Sequence, residues 1–234
     1  MTDSNLFFKL IWRTNGVILL LVLCLAVYQL LDNIIFKSST LHQSSVVNFE
    51  DKQKKIFSES WSFDYWSQVS GTPYLMLALK FEQEYEYSSK FSSSDRLAKS
   101  TRNYLFVNTQ NKDKQNWVFA NNKNLIIDAD FLSKSDENKN RIVIAILYQI
   151  AKSDTDGDNR LTKGDLTSIG LSKPDGTSYK NVLENIDTLL KHMLIFEKTL
   201  FLLYKKNGDT FVEYVDLSTF TNSHKMRLPN QNDL

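Results

Sequence analysis

The longest uncharged stretch of this sequence lies near its N-terminus, from Thr14 to Leu31. The part from Val17 to Val27 is wholly apolar. Because an α-helix rises about 1.5 Å per residue, a helix over this stretch would span about 27 Å, close to the hydrocarbon thickness of a bilayer. We therefore expect a single transmembrane helix within residues 11–36.

A cleaved signal peptide is the main alternative for this segment, with Lys9 and Arg13 as its basic region. The residues from Leu30 to Phe36 contain no small-x-small cleavage pattern, which favours an uncleaved signal anchor. A buried helix of a soluble domain is a further alternative, but such helices usually carry a polar stripe. The single cysteine, Cys24, excludes an intrachain disulfide framework and any multi-cysteine metal site.

The charges on either side of the apolar segment predict its orientation. Lys9 and Arg13 precede it, whereas Lys37 is the only basic residue close behind it. By the positive-inside rule, residues 1–10 stay in the cytoplasm and the rest is exported. This places the chain in a bacterial inner membrane, with its C-terminal domain in the periplasm. The formal net charge of +1 argues against a nucleic-acid binder, which needs a strongly basic surface.

Behind the anchor, the composition predicts a spacer and then a β-rich domain. Residues 37–56 are rich in Ser and in charged side chains without a strong period, which is typical of a stalk. Alternation of apolar and polar residues then predicts a mainly β fold, with an antiparallel domain over residues 57–220. The polar segment 221–234 is predicted to be a loose tail.

The first predicted strand of this domain is aromatic. Alternation places Trp61, Phe63 and Tyr65 on one face, separated by Ser62 and Asp64. Because large aromatic side chains usually supply core packing, we expect these three and Trp66 to be buried, with docking on a membrane or a partner as the alternative.

Four other segments carry secondary-structure signals, and one of these signals is ambiguous. The β-branched run from Ile142 to Ile150 predicts a strand buried on both faces. Asn207-Gly208 between two apolar runs predicts a tight β-hairpin. The stretch from Val182 to Ile195 is ambiguous, because its apolar residues also match a helical face, and the Ser-rich stretch from Ser88 to Ser100 predicts a loop.

Two apolar segments, Ile144–Tyr148 and Leu200–Tyr204, form a weak repeat, since both lead into polar turns. Consecutive hairpins of this kind resemble the blades of TolB-type propellers, and Lys173-Pro174-Asp175-Gly176 is similar to a turn common in that family. The resemblance implies roughly four blades of ~40 residues each. A twisted antiparallel sheet or a sandwich remains an equal alternative.

One segment carries recognisable metal chemistry. Calcium is a hard cation that takes six to eight oxygen ligands, and alternate carboxylates converge when a chain wraps around it. Residues 154–165 resemble the EF-hand calcium loop, most closely the dockerin-like version that ends in Asp. The ligands implied by the resemblance are the side chains of Asp154, Asp156, Asp158 and Asp165 and the backbone carbonyl of Arg160.

The loop departs from the EF-hand pattern at two positions. Asn159 stands where the family has Gly, although Asn tolerates a left-handed backbone better than most residues. Asp165 replaces Glu, and its shorter side chain makes bidentate binding harder. Leu161 matches the buried apolar position, and Thr162 is a further candidate ligand, directly or through water. An acidic surface turn that binds nothing is the alternative.

No other residues form a recognisable site. His42, His192 and His224 are far apart in the sequence, and none has a His or Cys at ligand spacing. The row of Glu82, Glu84 and Glu86 is expected to be a solvated strand face.

These features predict a function without catalysis. A single-pass anchor, a stalk and a compact exported domain are typical of an interaction or accessory subunit of a larger membrane complex. The expected partners are the membrane and integral membrane or periplasmic proteins, with one Ca²⁺ ion as a structural cofactor. An anchored periplasmic hydrolase and a calcium sensor that signals through the anchor remain alternatives.

Overall fold

A computed structural model describes residues 46–48, 56–89, 92–136, 138 and 140–229, together with Leu23. The chain divides into two compact parts, residues 1–43 and 44–234. Apart from Leu23, the predicted anchor lies outside the described residues. In the described part of the chain, no helix is long and apolar enough to cross a membrane. Between residues 46 and 229, the described residues form strands and turns and no helix.

The described residues of the second part form fourteen strands. In chain order they are β1 (Val47–Asn48), β2 (Ile56–Gln68), β3 (Tyr74–Ser89), β4 (Ser92–Asn108), β5 (Gln115–Trp117), β6 (Leu125–Ser135), β7 (Arg141–Ala151), β8 (Arg160–Leu161), β9 (Thr167–Ser172), β10 (Lys180–Ile186), β11 (Thr188–Ile195), β12 (Thr199–Lys206), β13 (Asp209–Asp216) and β14 (Thr221–Arg227). The predicted mainly β, antiparallel fold is confirmed.

These strands form three successive antiparallel layers. In the eight-stranded sheet, β4 and β6 meet at a single residue pair, Thr101 with Ile126, so the sheet divides there into two parts. We call β2-β3-β4-β5 the first layer, β6-β7-β9-β10 the middle layer and β11-β12-β13-β14 the last layer. The remaining two strands, β1 and β8, pair with each other.

Two apolar cores hold the layers together. One contains side chains of the first and middle layers, such as Phe106, and the other contains side chains of the middle and last layers, such as Leu202. Successive side chains of a strand point to opposite faces, so β7 contributes Tyr148 to the first core and Leu147 to the second. The prediction that Ile142–Ile150 forms a strand buried on both faces is therefore confirmed.

The turns agree with their sequence signals. Lys206 pairs with Asp209, which leaves Asn207-Gly208 as a two-residue turn with φ of 53° and 81°. Both values lie in the left-handed region that this hairpin type requires. In the turn Lys173–Gly176, the N–H of Gly176 donates to the carbonyl of Lys173 at 2.9 Å.

Three polar or ambiguous segments, predicted as a loop, as a strand or helical face and as a loose tail, form strands in the structure. Ser88–Ser100, predicted as a loop, belongs mainly to the β3–β4 hairpin, because an unbroken register with β3 satisfies its backbone groups. Val182–Ile195 is not helical but forms β10 and β11, on either side of Asp187. The segment from Thr221 begins with β14, which pairs with β13 although all its side chains are exposed.

Candidate functional site

The acidic loop follows β7 and contains the short strand β8. Its first aspartate organises the turn: Asp154 Oδ1 accepts the N–H of Gly157 at 2.7 Å, and Oδ2 accepts the N–H of Asn159 at 2.8 Å. Asn159 has a φ of 60°. The left-handed conformation that EF-hand loops give to glycine is therefore adopted here by Asn, as the sequence argument anticipated.

The next two aspartates also accept backbone N–H groups of the loop, each from the residue two positions later. Asp156 Oδ1 accepts the N–H of Asp158 at 3.2 Å, and Asp158 Oδ1 accepts the N–H of Arg160 at 2.8 Å. As a result, Asp154, Asp156 and Asp158 each offer a carboxylate oxygen within 4.8 Å of the others. Because a carboxylate oxygen has two lone pairs, these hydrogen bonds leave each group able to bind a cation.

Asp165 has a different environment from these three. Its side chain is buried, and Oδ1 accepts the Thr155 N–H at 2.6 Å and the Thr155 hydroxyl at 3.1 Å. Oδ2 accepts the N–H of Thr162 at 2.8 Å. The structure therefore brings together three of the four predicted carboxylates and uses the fourth to tie the two ends of the loop to each other.

The neighbouring carboxylates affect the pKa of Asp156. The N–H of Asp158 lowers the pKa of Asp156, but partial desolvation and the charges of Asp158, Asp165 and Asp154 outweigh it, so the pKa is raised. A raised pKa means that the loop without a cation carries unfavourable like-charge contacts. A divalent ion would relieve them, whereas protons would compete with it as the pH falls.

The loop is attached to the domain through β8. Leu161 is fully buried and pairs with Val47 of β1, and both belong to a small core with Phe81, Leu125 and Ala151. Val47 lies in the segment predicted as a stalk. The apolar position of the loop motif therefore anchors the acidic loop to the rest of the fold.

The donor set suits a hard cation. Three carboxylates in one loop match the oxygen ligands of Ca²⁺, as would the backbone carbonyl of Arg160 that the motif predicts, and no nitrogen or sulfur donor stands among them. If Ca²⁺ binds here, Asp154, Asp156 and Asp158 would hold it with side-chain oxygens. The ion would supply positive charge and a rigid coordination shell rather than reaction chemistry.

The other residues considered from the sequence lie elsewhere. Glu82 contacts Lys99 at 2.8 Å and Glu84 accepts a hydrogen bond from Ser58 at 3.0 Å. His224 lies beside Tyr214, with ring centroids 6.0 Å apart. His42 and the side chain of Glu86 lie outside the described part of the structure.

A histidine–carboxylate contact was not foreseen from the sequence. His192 Nε2 lies 3.4 Å from Asp130 Oδ2, which joins β11 to β6. Burial raises the pKa of the neighbouring Asp128, and the charge of Asp130 adds to this effect. His192 also borders an open cavity of about 450 Å³ whose charged lining residues are Lys134 and Arg141. No period or spacing in the sequence connects residues 130 and 192, because the contact arises only when the middle and last layers stack.

The expectation of a buried aromatic strand is wrong. Trp61, Phe63, Tyr65 and Trp66 are all exposed, with Trp66 at 67%. A β-bulge between Phe63 and Trp66 also moves Tyr65 to the other face, where its hydroxyl lies 3.1 Å from that of Tyr104. The alternation was read correctly as a strand, but it does not reveal which face the rest of the chain covers.

Comparisons with known proteins find only distant structural similarity. No family model matches the sequence, and the curated proteins contain no significant match. Among solved structures, the chain is similar to the β-propeller domain of the Trilobed protease from Pyrococcus furiosus, with 12% identity over 73% of this chain and 44% of that chain and a TM-score of 0.36. It is also similar to a luciferin-regenerating enzyme, with 13% identity over 81% of this chain and 62% of that chain and a TM-score of 0.32. The chain thus spans less than two thirds of either structure.

Proposed function

We propose that this chain is a single-pass inner-membrane protein whose periplasmic β-rich domain is an interaction subunit of a larger membrane complex, stabilised by a structural calcium ion. The observation that carries the interaction role is the hairpin tip between β11 and β12. Phe196 is 91% exposed there, although it is one of the largest apolar side chains of the domain.

The backbone of this tip is strained as well as exposed. Phe196 and Glu197 have φ of 50° and 60°, a left-handed conformation that costs about 1 kcal/mol or more per non-glycine residue. Glycine or asparagine would relieve the strain, as Asn207-Gly208 does at the other end of β12. An aromatic side chain kept at a strained and solvated tip supports a role in contacting another molecule.

The outer face of the last layer continues this surface. Met193 of β11 and Met226 of β14 are about half exposed, and Phe201 and Tyr214 pack edge to face between them. Apolar and aromatic side chains with few charges are typical of the centre of a protein–protein interface. A periplasmic or integral membrane protein with a complementary apolar surface is therefore the proposed partner.

A charge at the hairpin tip should release the partner. We expect Phe196→Asp to weaken the co-purification of the partner chain in mild detergent by about 30-fold, the equivalent of an interface residue worth ~2 kcal/mol. Asn207→Asp adds the same charge at the opposite end of β12 and serves as the control. Equal recovery of the same partner with both variants would contradict the proposed surface.

The topology is a separate prediction. We expect the chain to remain in the membrane through carbonate washing, and protease added outside the inner membrane to degrade residues 37–234, because the N-terminal basic residues stay inside. A reporter fused at Leu234 that is active only in the cytoplasm would reverse the orientation.

The calcium proposal rests on the three convergent aspartates. An ion that binds only the folded state stabilises it by about 1.4 kcal/mol at tenfold excess over its dissociation constant. For a domain of this size, chelation should lower the melting temperature by about 4 °C. Asp156→Ala should melt at the same temperature with calcium and with chelator.

The control for this measurement is Asp113→Ala, which removes an exposed aspartate outside the loop. This variant should keep the full response to calcium. Identical melting of the unaltered chain in millimolar calcium and in chelator would mean that the loop is only an acidic turn.

For the fold, we propose that the three layers correspond to propeller blades rather than to a sandwich. Each has four antiparallel strands in chain order, and adjacent layers pack face to face through the two cores. Propellers close with four to eight blades, so three form an open stack with two terminal faces. The interaction surface described above is one of these faces.

A further inference from the structure

The second terminal face belongs to the first layer and is aromatic. Trp61, Phe63, Trp66 and Trp117 are 49%, 51%, 67% and 44% exposed. Phe63 stacks on Trp117 with ring centroids 6.1 Å apart, so the rings of β2 and β5 meet across the sheet.

These four residues share one side of the layer. The register places Phe63 opposite Leu79 and Trp66 opposite Leu77, and Trp117 pairs with Leu105, so leucines line the surface beneath the rings. Since an aromatic side chain carries about 150–250 Å², the exposed halves amount to roughly 400 Å². That is as large as the largest apolar patch on most soluble monomers, which is often functional.

The side-chain chemistry favours a lipid interface over bulk water. Three of the four rings are indoles, which combine an apolar body with one N–H donor and are enriched where hydrocarbon meets headgroups. On β2, Asp64 lies in the bulge and is paired with Lys99 at 3.1 Å. Glu59 lies on the same side of the strand as Trp61 but beyond the four rings, and it accepts a hydrogen bond from Gln83 at 3.0 Å. Insertion of this face would therefore bury no unpaired charge of β2 between the rings.

The attachment point of the tether lies beside this face. Trp61 packs on Phe81, with ring centroids 4.6 Å apart, and Phe81 shares its small core with Val47 of β1. Phe36, the last residue of the predicted anchor, is 11 residues before Val47, a distance of at most about 40 Å for a fully extended chain. Val47, which lies in the first strand after the predicted anchor, is therefore close to the aromatic surface.

We infer that the face formed by Trp61, Phe63, Trp66 and Trp117 lies against the lipid–water interface of the membrane that holds the anchor. The inference rests on the proposed anchor and goes beyond it, since an anchored domain need not touch the bilayer. This contact fixes the orientation of the domain, because the aromatic face is turned to the lipid while the opposite end of the stack presents Phe196 to a partner protein.

The test uses the full chain in phosphatidylcholine vesicles, with Trp66 as the only tryptophan after Trp12, Trp61 and Trp117 are replaced by Phe. Lipids brominated near the top of the acyl chains should reduce Trp66 emission roughly twofold, since interfacial side chains reach about 5–10 Å into this region. Adding anionic phosphatidylglycerol should not change the result, because the contact is apolar. The matched control replaces all four tryptophans by Phe and introduces Phe196→Trp, whose emission should respond to aqueous acrylamide and not to brominated lipid.

The outcomes separate the inference from the anchor. If the chain floats with the vesicles but Trp66 is quenched by acrylamide and not by brominated lipid, the anchor stands and the inference is wrong. Protection of Trp66 from both quenchers would mean that a second copy covers the face, which also overturns it. If the chain does not float with the vesicles, both the anchor and the inference fail.

Discussion

Gly176→Ala should be among the most destabilising single-methyl changes in this domain. Gly176 has a φ of 80°, and an added Cβ would lie 2.4 Å from the buried ring of Phe106. Left-handed strain of about 1 kcal/mol and overpacking of about 2 kcal/mol together predict a loss of about 3 kcal/mol in the free energy of unfolding. Thermal or urea denaturation of the detergent-solubilised chain measures this loss.

Gly208→Ala is the matched control for this prediction. Gly208 has nearly the same φ, 81°, but an added Cβ would meet nothing within 4 Å. Its cost should therefore be the conformational strain alone, about 1 kcal/mol. Equal losses in the free energy of unfolding for the two variants would show that contact with Phe106 does not add to the cost of Gly176→Ala.

The same turn illustrates what the sequence could reveal. The segment Lys173-Pro174-Asp175-Gly176 is similar to a propeller-family turn, its Pro, Asp and Gly residues each favour turns for local reasons, and the structure has a turn there. The sequence could not reveal that Phe106, seventy residues earlier, packs against it. Local backbone preferences are encoded within a few residues, whereas the neighbours of a turn depend on how the layers stack.

The sequence predicted strands with a clear apolar pattern but not strands that are polar. Runs with a strong apolar pattern, such as Ile142–Ile150, were identified correctly because both of their faces are buried. Polar strands such as β14 were missed, since their pairing depends on the backbone of a neighbouring strand and leaves no pattern in the side chains. The exposed aromatic residues of β2 were misjudged because period 2 shows alternation but not burial.

For the candidate metal centre too, the sequence predicted one part of the arrangement and not the other. Alternate aspartates predicted a converging cluster, and Asp154, Asp156 and Asp158 do converge. The sequence pattern could not distinguish a ligand from a structural carboxylate at Asp165, because both roles require an acid at the end of the loop. The distinction depends on burial and on which N–H groups point at the carboxylate, and these are properties of the folded loop.

Asp165→Ala should therefore destabilise the domain even without calcium. The variant removes a buried carboxylate that accepts hydrogen bonds from two backbone N–H groups and one hydroxyl, and it leaves those three partly buried donors without this acceptor. Hydrogen bonds to charged groups contribute about 1.5–3 kcal/mol, so we expect a loss of about 3 kcal/mol in chelator. Asp156→Ala should cost little under the same conditions, because it also removes like-charge repulsion.

The two variants together distinguish a carboxylate that stabilises the loop from one that binds calcium. Asp156→Ala should keep the stability of the calcium-free chain and lose its response to calcium, whereas Asp165→Ala should lower stability whether or not calcium is present. Denaturation of each variant in chelator and in millimolar calcium measures both quantities. If Asp165→Ala matched the unaltered chain in chelator and differed from it only in calcium, Asp165 would be a ligand of the ion. Its hydrogen bonds with Thr155 and Thr162 would then contribute little to holding the loop closed.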